Sequence, residues 1–389
     1  MVTQINVAVI GLGFGMEFVP IYQCHPQANL YAICDSAEGR LKHIGDAFSV
    51  EKRYQHYEDV LADSNVDAVH INTPIHDHAC MSIAGLMAGK HVACTVPAAT
   101  TIDELEQIVA AQAASGKKYM MMETVIYSRE FMFVRELYQS GKLGRIQYLR
   151  ATHQQEMINW PRYWKGLPPM HYATHVVSPC LALTNSEAES VTCFGSGRIQ
   201  ESLIPKYGSP FAIETSHIVL RGSDLVAEIM RHLFNTARQY RESFDVYGSN
   251  MSFEWPLIED EPPVVHIGEK PHLVDPLDYG HLLPEEIRRF TTKGVYGQNE
   301  QHLSFFQGGG HGGSHPHMTH EFIQSIIEDR EPFPNARRAA HWTAVGILSH
   351  ESAMQGGKTI AVPTFRDSFH LNPSEKLSPI KGGAVGNHL

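Results

Sequence analysis

Two glycines at the start of the chain stand where a phosphate could be held. Gly11 and Gly13 lie in Gly11-Leu12-Gly13-Phe14-Gly15-Met16, after a short apolar run and before a helix-like stretch. Such a turn lets a pyrophosphate approach the backbone at a helix N-terminus, where unpaired N–H groups and the helix dipole favour negative charge. Asp35 closes the next apolar run, where a carboxylate can accept hydrogen bonds from an adenosine ribose. It would repel a 2′-phosphate, so NAD is expected rather than NADP; Arg40 is the nearby cation that argues the other way. Met16 replaces the third glycine of the usual G-x-G-x-x-G pattern, with Gly15 one place early. A looser contact between helix and strand is expected from that change.

Histidine is the second concentration of chemistry. The chain has 24, and four stand in His311-Gly312-Gly313-Ser314-His315-Pro316-His317-Met318-Thr319-His320. Spaced imidazoles can bind zinc. Here the spacing is not helical, Pro316 interrupts it, and no carboxylate or thiolate cluster accompanies it, so no metal is expected. The segment reads as a glycine-flanked site loop, or as an exposed loop leading into a helix.

These groups need elements to position them. Apolar runs at 5–10, 30–34, 68–71, 91–94 and 119–122 alternate with helical patterns at 17–25, 37–48, 78–88 and 102–114. That alternation predicts a doubly wound parallel α/β sheet of Rossmann type. After Glu123 the pattern changes. A helix is expected at 131–139, then strands at 146–152, 190–194, 217–220, 225–230 and 243–247, with few helices between them. This half should be an α+β domain with a large, open, mostly antiparallel sheet. Long loops are expected over 255–313, and helices at 320–328 and 337–353. The expected division is a dinucleotide-binding domain at 1–123, a substrate and oligomerisation domain at 124–365, and a strap or tail at 366–389.

The length of 389 residues suits two domains. Hydrophobic residues make up 43% and charged residues 19%, which excludes global disorder. The net charge of −11 argues against nucleic acid or an anionic membrane as partner. The six cysteines have neither CxxC nor zinc spacing and read as reduced thiols in a cytoplasmic protein. No spanning apolar run and no signal peptide are read in the sequence.

Further motifs follow in order: Thr73-Pro74-Ile75-His76-Asp77-His78, Gly89-Lys90-His91-Val92-Ala93-Cys94-Thr95-Val96-Pro97, Gln139-Ser140-Gly141-Lys142-Leu143-Gly144 and Asp245-Val246-Tyr247-Gly248. Together with the glycine turn they resemble the Gfo/Idh/MocA oxidoreductases, over most of the chain. The resemblance implies NAD contacts from Gly11, Gly13, Phe14, Asp35, Thr73, Pro74, His78, Thr95 and Pro97. Two departures stand out. Where the family has Glu-Lys-Pro, this chain has Thr95-Val96-Pro97, and Val96 cannot share in proton transfer. The family's Asp-x-x-x-His pair is His171-Tyr172-Ala173-Thr174-His175, with His171 in place of the Asp. The Val, Met121-Met122-Glu123, Tyr127-Ser128-Arg129, Tyr172-Ala173-Thr174-His175 and Gly310-His311-Gly312-Gly313 are similar to the NAD-dependent glycoside hydrolases of family 109.

The resemblance places His175 in the catalytic histidine position, and an imidazole titrates near neutral pH. Tyr172, three residues earlier on a helical turn, shares its face and can donate or relay a proton. Glu123 ends the fifth strand, where ligands bind in open α/β sheets. Oxidation of a sugar hydroxyl at C3 is the expected reaction. The alternative is a redox-neutral glycosidase working by C3 oxidation, elimination, water addition and re-reduction. His153, Trp164, His171, His311 and His315 are expected to contact a carbohydrate or glycoside substrate. Trp164, with Trp160 and Tyr163, could equally be core or interface. A homodimer or homotetramer is expected.

Overall fold

The structure is a computed structural model and describes residues 4–258, 261–292 and 310–365. The expected strap at 366–389 lies outside the described residues. The chain divides into two compact units. Of the described residues, one holds those up to Ser128 together with 278–292 and 310–340; the other holds those from Arg129 to Leu277 and 341–365. The segment read as one domain from 124 to 365 is thus shared between the two units.

The first unit is built on a six-stranded parallel sheet. Its strands are β1 (Ile5–Ile10), β2 (Ala28–Cys34), β3 (Arg53–Tyr54), β4 (Ala68–Ile71), β5 (His91–Thr95) and β6 (Tyr119–Met122), in the order β3-β2-β1-β4-β5-β6. β1, β4 and β6 are apolar almost throughout and nearly all buried, as strands covered on both faces must be. The order reverses between β1 and β4, and that switch point is where doubly wound sheets bind ligands. The helix Ile102–Ser115 opens with a reciprocal capping box between Thr101 and Glu104. The helix expected at 17–25 instead begins at Leu12, tightens into a 3-10 turn at Met16–Phe18 and resumes over Val19–Cys24. Pro20 opens the last piece, where its missing N–H costs little.

The second unit carries a nine-stranded sheet. Its strands are β7 (Ile146–Gln155), β8 (Ala188–Ser196), β9 (Ile213–Leu220), β10 (Val226–His232), β11 (Tyr240–Gly248), β12 (Ser252–Glu254), β13 (Val264–Ile267), β14 (Lys270–Leu273) and β15 (Ile360–Ala361). They lie in the order β14-β13-β12-β11-β7-β10-β9-β8-β15. All pairs are antiparallel except β7 with β10. Burial alternates along β9, so one face is covered and the other faces outward. The helix Thr174–Thr184 packs across β7, β10 and β11.

Three departures from the sequence reading have physical causes. β13 and β14 arise in the stretch read as loops, because they are short and lie at one edge of the sheet, where Pro is tolerated. The helix Thr174–Thr184 gives no amphipathic signal: nearly every residue in it is buried, and it contains Pro179. The histidine run is the start of a helix that continues to Ile327, entered through left-handed backbone at His311, Gly312 and Gly313. Among the described residues no helix is long and apolar enough to cross a membrane.

Candidate active site

Strand ends deliver the expected nucleotide residues. Gly11 follows β1 with φ 79°, and a Cβ there would lie 2.7 Å from the Asn72 carbonyl oxygen, so only glycine fits the turn. Gly13 and Phe14 are exposed in the short helix that follows. The place vacated by the third motif glycine is taken over by Gly15, where a Cβ would meet Val9 Cγ1 at 3.0 Å. The contact expected to loosen is therefore kept, one residue earlier. Asp35 ends β2, is buried, and accepts the Leu12 and Ala37 N–H groups at 2.8 Å each. Arg40 pairs with it at 3.0 Å. That pairing neutralises the cation that could otherwise have drawn a 2′-phosphate. Oδ2 is taken by the Leu12 N–H and Arg40, so a ribose hydroxyl would be accepted by Oδ1, beside the Ala37 N–H and the longer Arg40 contact of 3.4 Å. A close-approach glycine, an exposed helix N-terminus and an anchored carboxylate are a cradle that fits NAD.

His78 joins the loops after β4 and β5. Its Nδ1 lies 2.7 Å from the Pro97 carbonyl and its Nε2 2.9 Å from the Thr73 carbonyl. Both partners only accept, so both ring nitrogens donate and the ring is an imidazolium. Burial opposes that charge, but neighbouring Cys94 and the two carbonyls outweigh it and raise the pKa to about 9. Thr95 Oγ1 donates to the Ile71 carbonyl at 3.2 Å. His78 thus fixes the loops carrying Thr73, Pro74 and Pro97 and is itself buried. Glu123, after β6, is fully buried and accepts the Val125 N–H at 3.2 Å.

The second unit holds a compact polar cluster. His153 on β7 is the register partner of Arg231 on β10 and of Glu242 on β11. Cross-strand partners share a face, so the three form a row across the sheet. His175 lies in the first turn of the helix that packs across these strands. Its Nδ1 is 3.8 Å from Glu242 Oε1, as is His153 Nε2. Its Nε2 is 3.4 Å from the Tyr172 hydroxyl. The Trp164 ring packs on Tyr172 at 4.8 Å between centroids. Arg231, with no exposed surface, donates to the carbonyls of Tyr172 at 2.7 Å and His153 at 3.0 Å and to Gln155 Oε1 at 2.9 Å.

The structure thus brings His153, Tyr172, Trp164 and His175 together. His171 is set against His350, with ring centroids 5.0 Å apart, and His350 in turn contacts buried Glu214 at 2.6 Å. His311 and His315 belong to the first unit, joined to each other at 3.0 Å and edge-on to Phe14. Burial lowers the His315 pKa to about 3, so it stays neutral. The sequence reading missed Glu242 and Arg231. Their signal was parity: Arg231 alternates with Ala227 and Ile229, and Glu242 with Phe244 and Val246, all four of these apolar partners fully buried.

Comparison with known proteins matches this architecture. Residues 5–123 match the Gfo/Idh/MocA oxidoreductase family, NAD-binding Rossmann fold, and residues 131–254 match the Gfo/Idh/MocA C-terminal domain. A glycosyl hydrolase family 109 protein of Shewanella sp. (strain W3-18-1) is 25% identical, over 93% of this chain and 85% of its own. An α-N-acetylgalactosaminidase of Shewanella oneidensis is 24% identical over the same shares, 93% and 85%. Among solved structures, levoglucosan dehydrogenase in complex with NADH superposes with a TM-score of 0.76 at 19% identity, covering 93% of this chain and all of that one. An oxidoreductase domain protein from Kribbella flavida gives 0.75, also at 19% identity, covering 93% of this chain and 100% of that one.

Two outcomes follow from the first unit. Asp35→Ala should weaken NAD binding and narrow its margin over NADP, as read by calorimetry; a clear NADP preference in the unaltered protein would contradict the role of Asp35. His78 has a folded pKa raised from 6.5 to about 9. Its contribution to stability is therefore full below pH 6.5 and lost as pH rises through 9, by linkage on the order of 3 kcal/mol. The unfolding free energy should fall over that window more steeply in the unaltered protein than in His78→Gln. Equal slopes would show that His78 is not an imidazolium.

Proposed function

The chain belongs to the Gfo/Idh/MocA oxidoreductases, an NAD-binding family, and on that premise we propose that it oxidises a ring hydroxyl of a sugar or glycoside, at C3. The carbohydrate class is supported by the names of its relatives, which include glycosidases and a sugar dehydrogenase. The observation that carries the reading is the placement of His175. Its imidazole is buried, with one nitrogen toward the Tyr172 hydroxyl and the other toward the Glu242 carboxylate.

When bound, NAD supplies the hydride acceptor. The remaining chemistry falls to the chain. In this reading His175 Nε2 takes the hydroxyl proton, directly or through Tyr172, as the carbinol C–H leaves as hydride and a ketone forms. The Nδ1–H then faces a carboxylate, which stabilises the imidazolium and holds the ring in the productive tautomer. Val96 brings no second proton acceptor, so the burden rests on His175. Trp164, packed on Tyr172, is the aromatic candidate for a sugar C–H face. Glu123 and His153 are further candidates for contact with substrate hydroxyls.

A second reading draws on the glycosidase relatives. A C3 ketone acidifies the C2 proton; a base removes it, the aglycone leaves, water adds and the hydride returns. The two readings share their first step and differ in stoichiometry. Free sugar released without accumulating NADH marks the glycosidase, and NADH formed mole for mole with ketosugar marks the dehydrogenase.

The shared step is testable in either case. His175→Ala should lose about 10²–10⁴ in turnover while binding NAD normally by calorimetry. Tyr172→Phe should lose less if the hydroxyl only relays or orients. Near-normal turnover in His175→Ala would move the base to Glu123, His153 or His171.

A further inference from the structure

The sequence reading expects no metal, and it considers only the cysteine spacing and the histidine run at 311–320. The donor set that the structure brings together is elsewhere. Among the described residues, His153, His175 and Glu242 are the group of His, Cys or acidic side chains whose ligand atoms converge, all within 4.8 Å of one another. We propose that these three side chains form a binding site for a divalent transition-metal ion of the zinc type.

Spacing is the first argument. Glu242 Oε1 stands 3.8 Å from His153 Nε2 and 3.8 Å from His175 Nδ1. That is too long for N–H···O hydrogen bonds of about 3 Å. Ligands at about 2.1 Å from a tetrahedral ion stand about 3.4 Å apart, a separation that small side-chain rotations reach. Donor type is the second. Two imidazoles and one carboxylate suit zinc, cobalt or ferrous iron, whereas magnesium and calcium favour all-oxygen sets. Three protein ligands also leave a position open for water or a hydroxyl.

Rigidity is the third argument. Two of the ligands are register partners on adjacent strands, and the third opens a helix packed on the same face. The side chains of His153, His175 and Glu242 are only 2%, 3% and 11% exposed. Tyr172 stands 3.4 Å from the other nitrogen of His175. Its hydroxyl oxygen can accept a hydrogen bond from Nε2–H, which puts the lone pair on Nδ1, the arrangement by which outer partners orient metal-bound histidines.

The proposal uses a side chain of the proposed reaction but does not rest on that reaction. With Nδ1 bound to an ion, Nε2 keeps its proton and no longer accepts one. Occupancy and the base role of His175 are then alternatives, and zinc acts as an inhibitor.

The test uses the full chain, stripped of metal and free of NAD and sugar, titrated with Co²⁺. One equivalent should produce visible bands of four- or five-coordinate intensity, displaced by one equivalent of Zn²⁺. His153→Ala and Glu242→Gln should each lose the bands while keeping the far-UV circular dichroism of the unaltered protein. The weak spectrum of aquated cobalt, or bands that survive in both variants, would overturn the site. The reaction is assayed separately. If cobalt binds as expected and zinc leaves turnover unchanged, the site stands and the base role of His175 falls. If no cobalt binds, the site falls and the base role is untouched.

Discussion

Arg231 carries a permanent positive charge into a place with no exposed surface, and the second unit is arranged around making that tolerable. An unpaired buried guanidinium would cost many kcal/mol. Here its nitrogens reach the carbonyls of Tyr172, His153 and His232 and the side chain of Gln155. Its Cζ also lies 4.9 Å from the centroid of the Tyr172 ring. These acceptors come from β7, from β10 and from the turn before the helix Thr174–Thr184. One side chain therefore ties β10 to β7, which carries His153, and to the turn of Tyr172, which leads into the helix of His175. The first unit uses the same device on a smaller scale. His78, also buried, donates to carbonyls on two separate loops and fixes the chain just after β4 and β5. Both cations are held mainly by backbone carbonyl oxygens, which do not titrate.

Much of the first unit was legible because its strands are buried on both faces and read as plain apolar runs between helical patterns. Gly11, Gly13 and Asp35 could be placed because each follows directly on such a run. The effect of Met16 could not be read, since the compensating contact of Gly15 with Val9 and Asn72 exists only in three dimensions. β3 has two residues and leaves no pattern to find.

The second unit was legible as a sheet but not as a site. His175 and Tyr172 could be found because they are close in sequence and three apart. Glu242 and Arg231 meet His153 only through strand register, which depends on which strands pair. The helix that carries His175 is buried nearly all round and so shows no polar face. The histidine run misled for a different reason. Glycine suggests a loop, but left-handed residues at 311–313 feed straight into a helix, and Pro316 falls in its first turns, where proline is tolerated.

The parallel pairing of β7 with β10 has a consequence for how the protein is made. Neighbouring antiparallel strands can close through a short turn, but a parallel pair needs a long excursion of chain. Between these two strands lie the helix Thr174–Thr184, β8 and β9, and the Arg231 contact with His153 closes a separation of 78 residues. Loop-closure entropy must be met before such a contact returns any stability. The row of Arg231, His153 and Glu242 is thus a late acquisition of the folding chain. Early collapse can supply strands and helices, but the polar centre comes into being only when the excursion has closed.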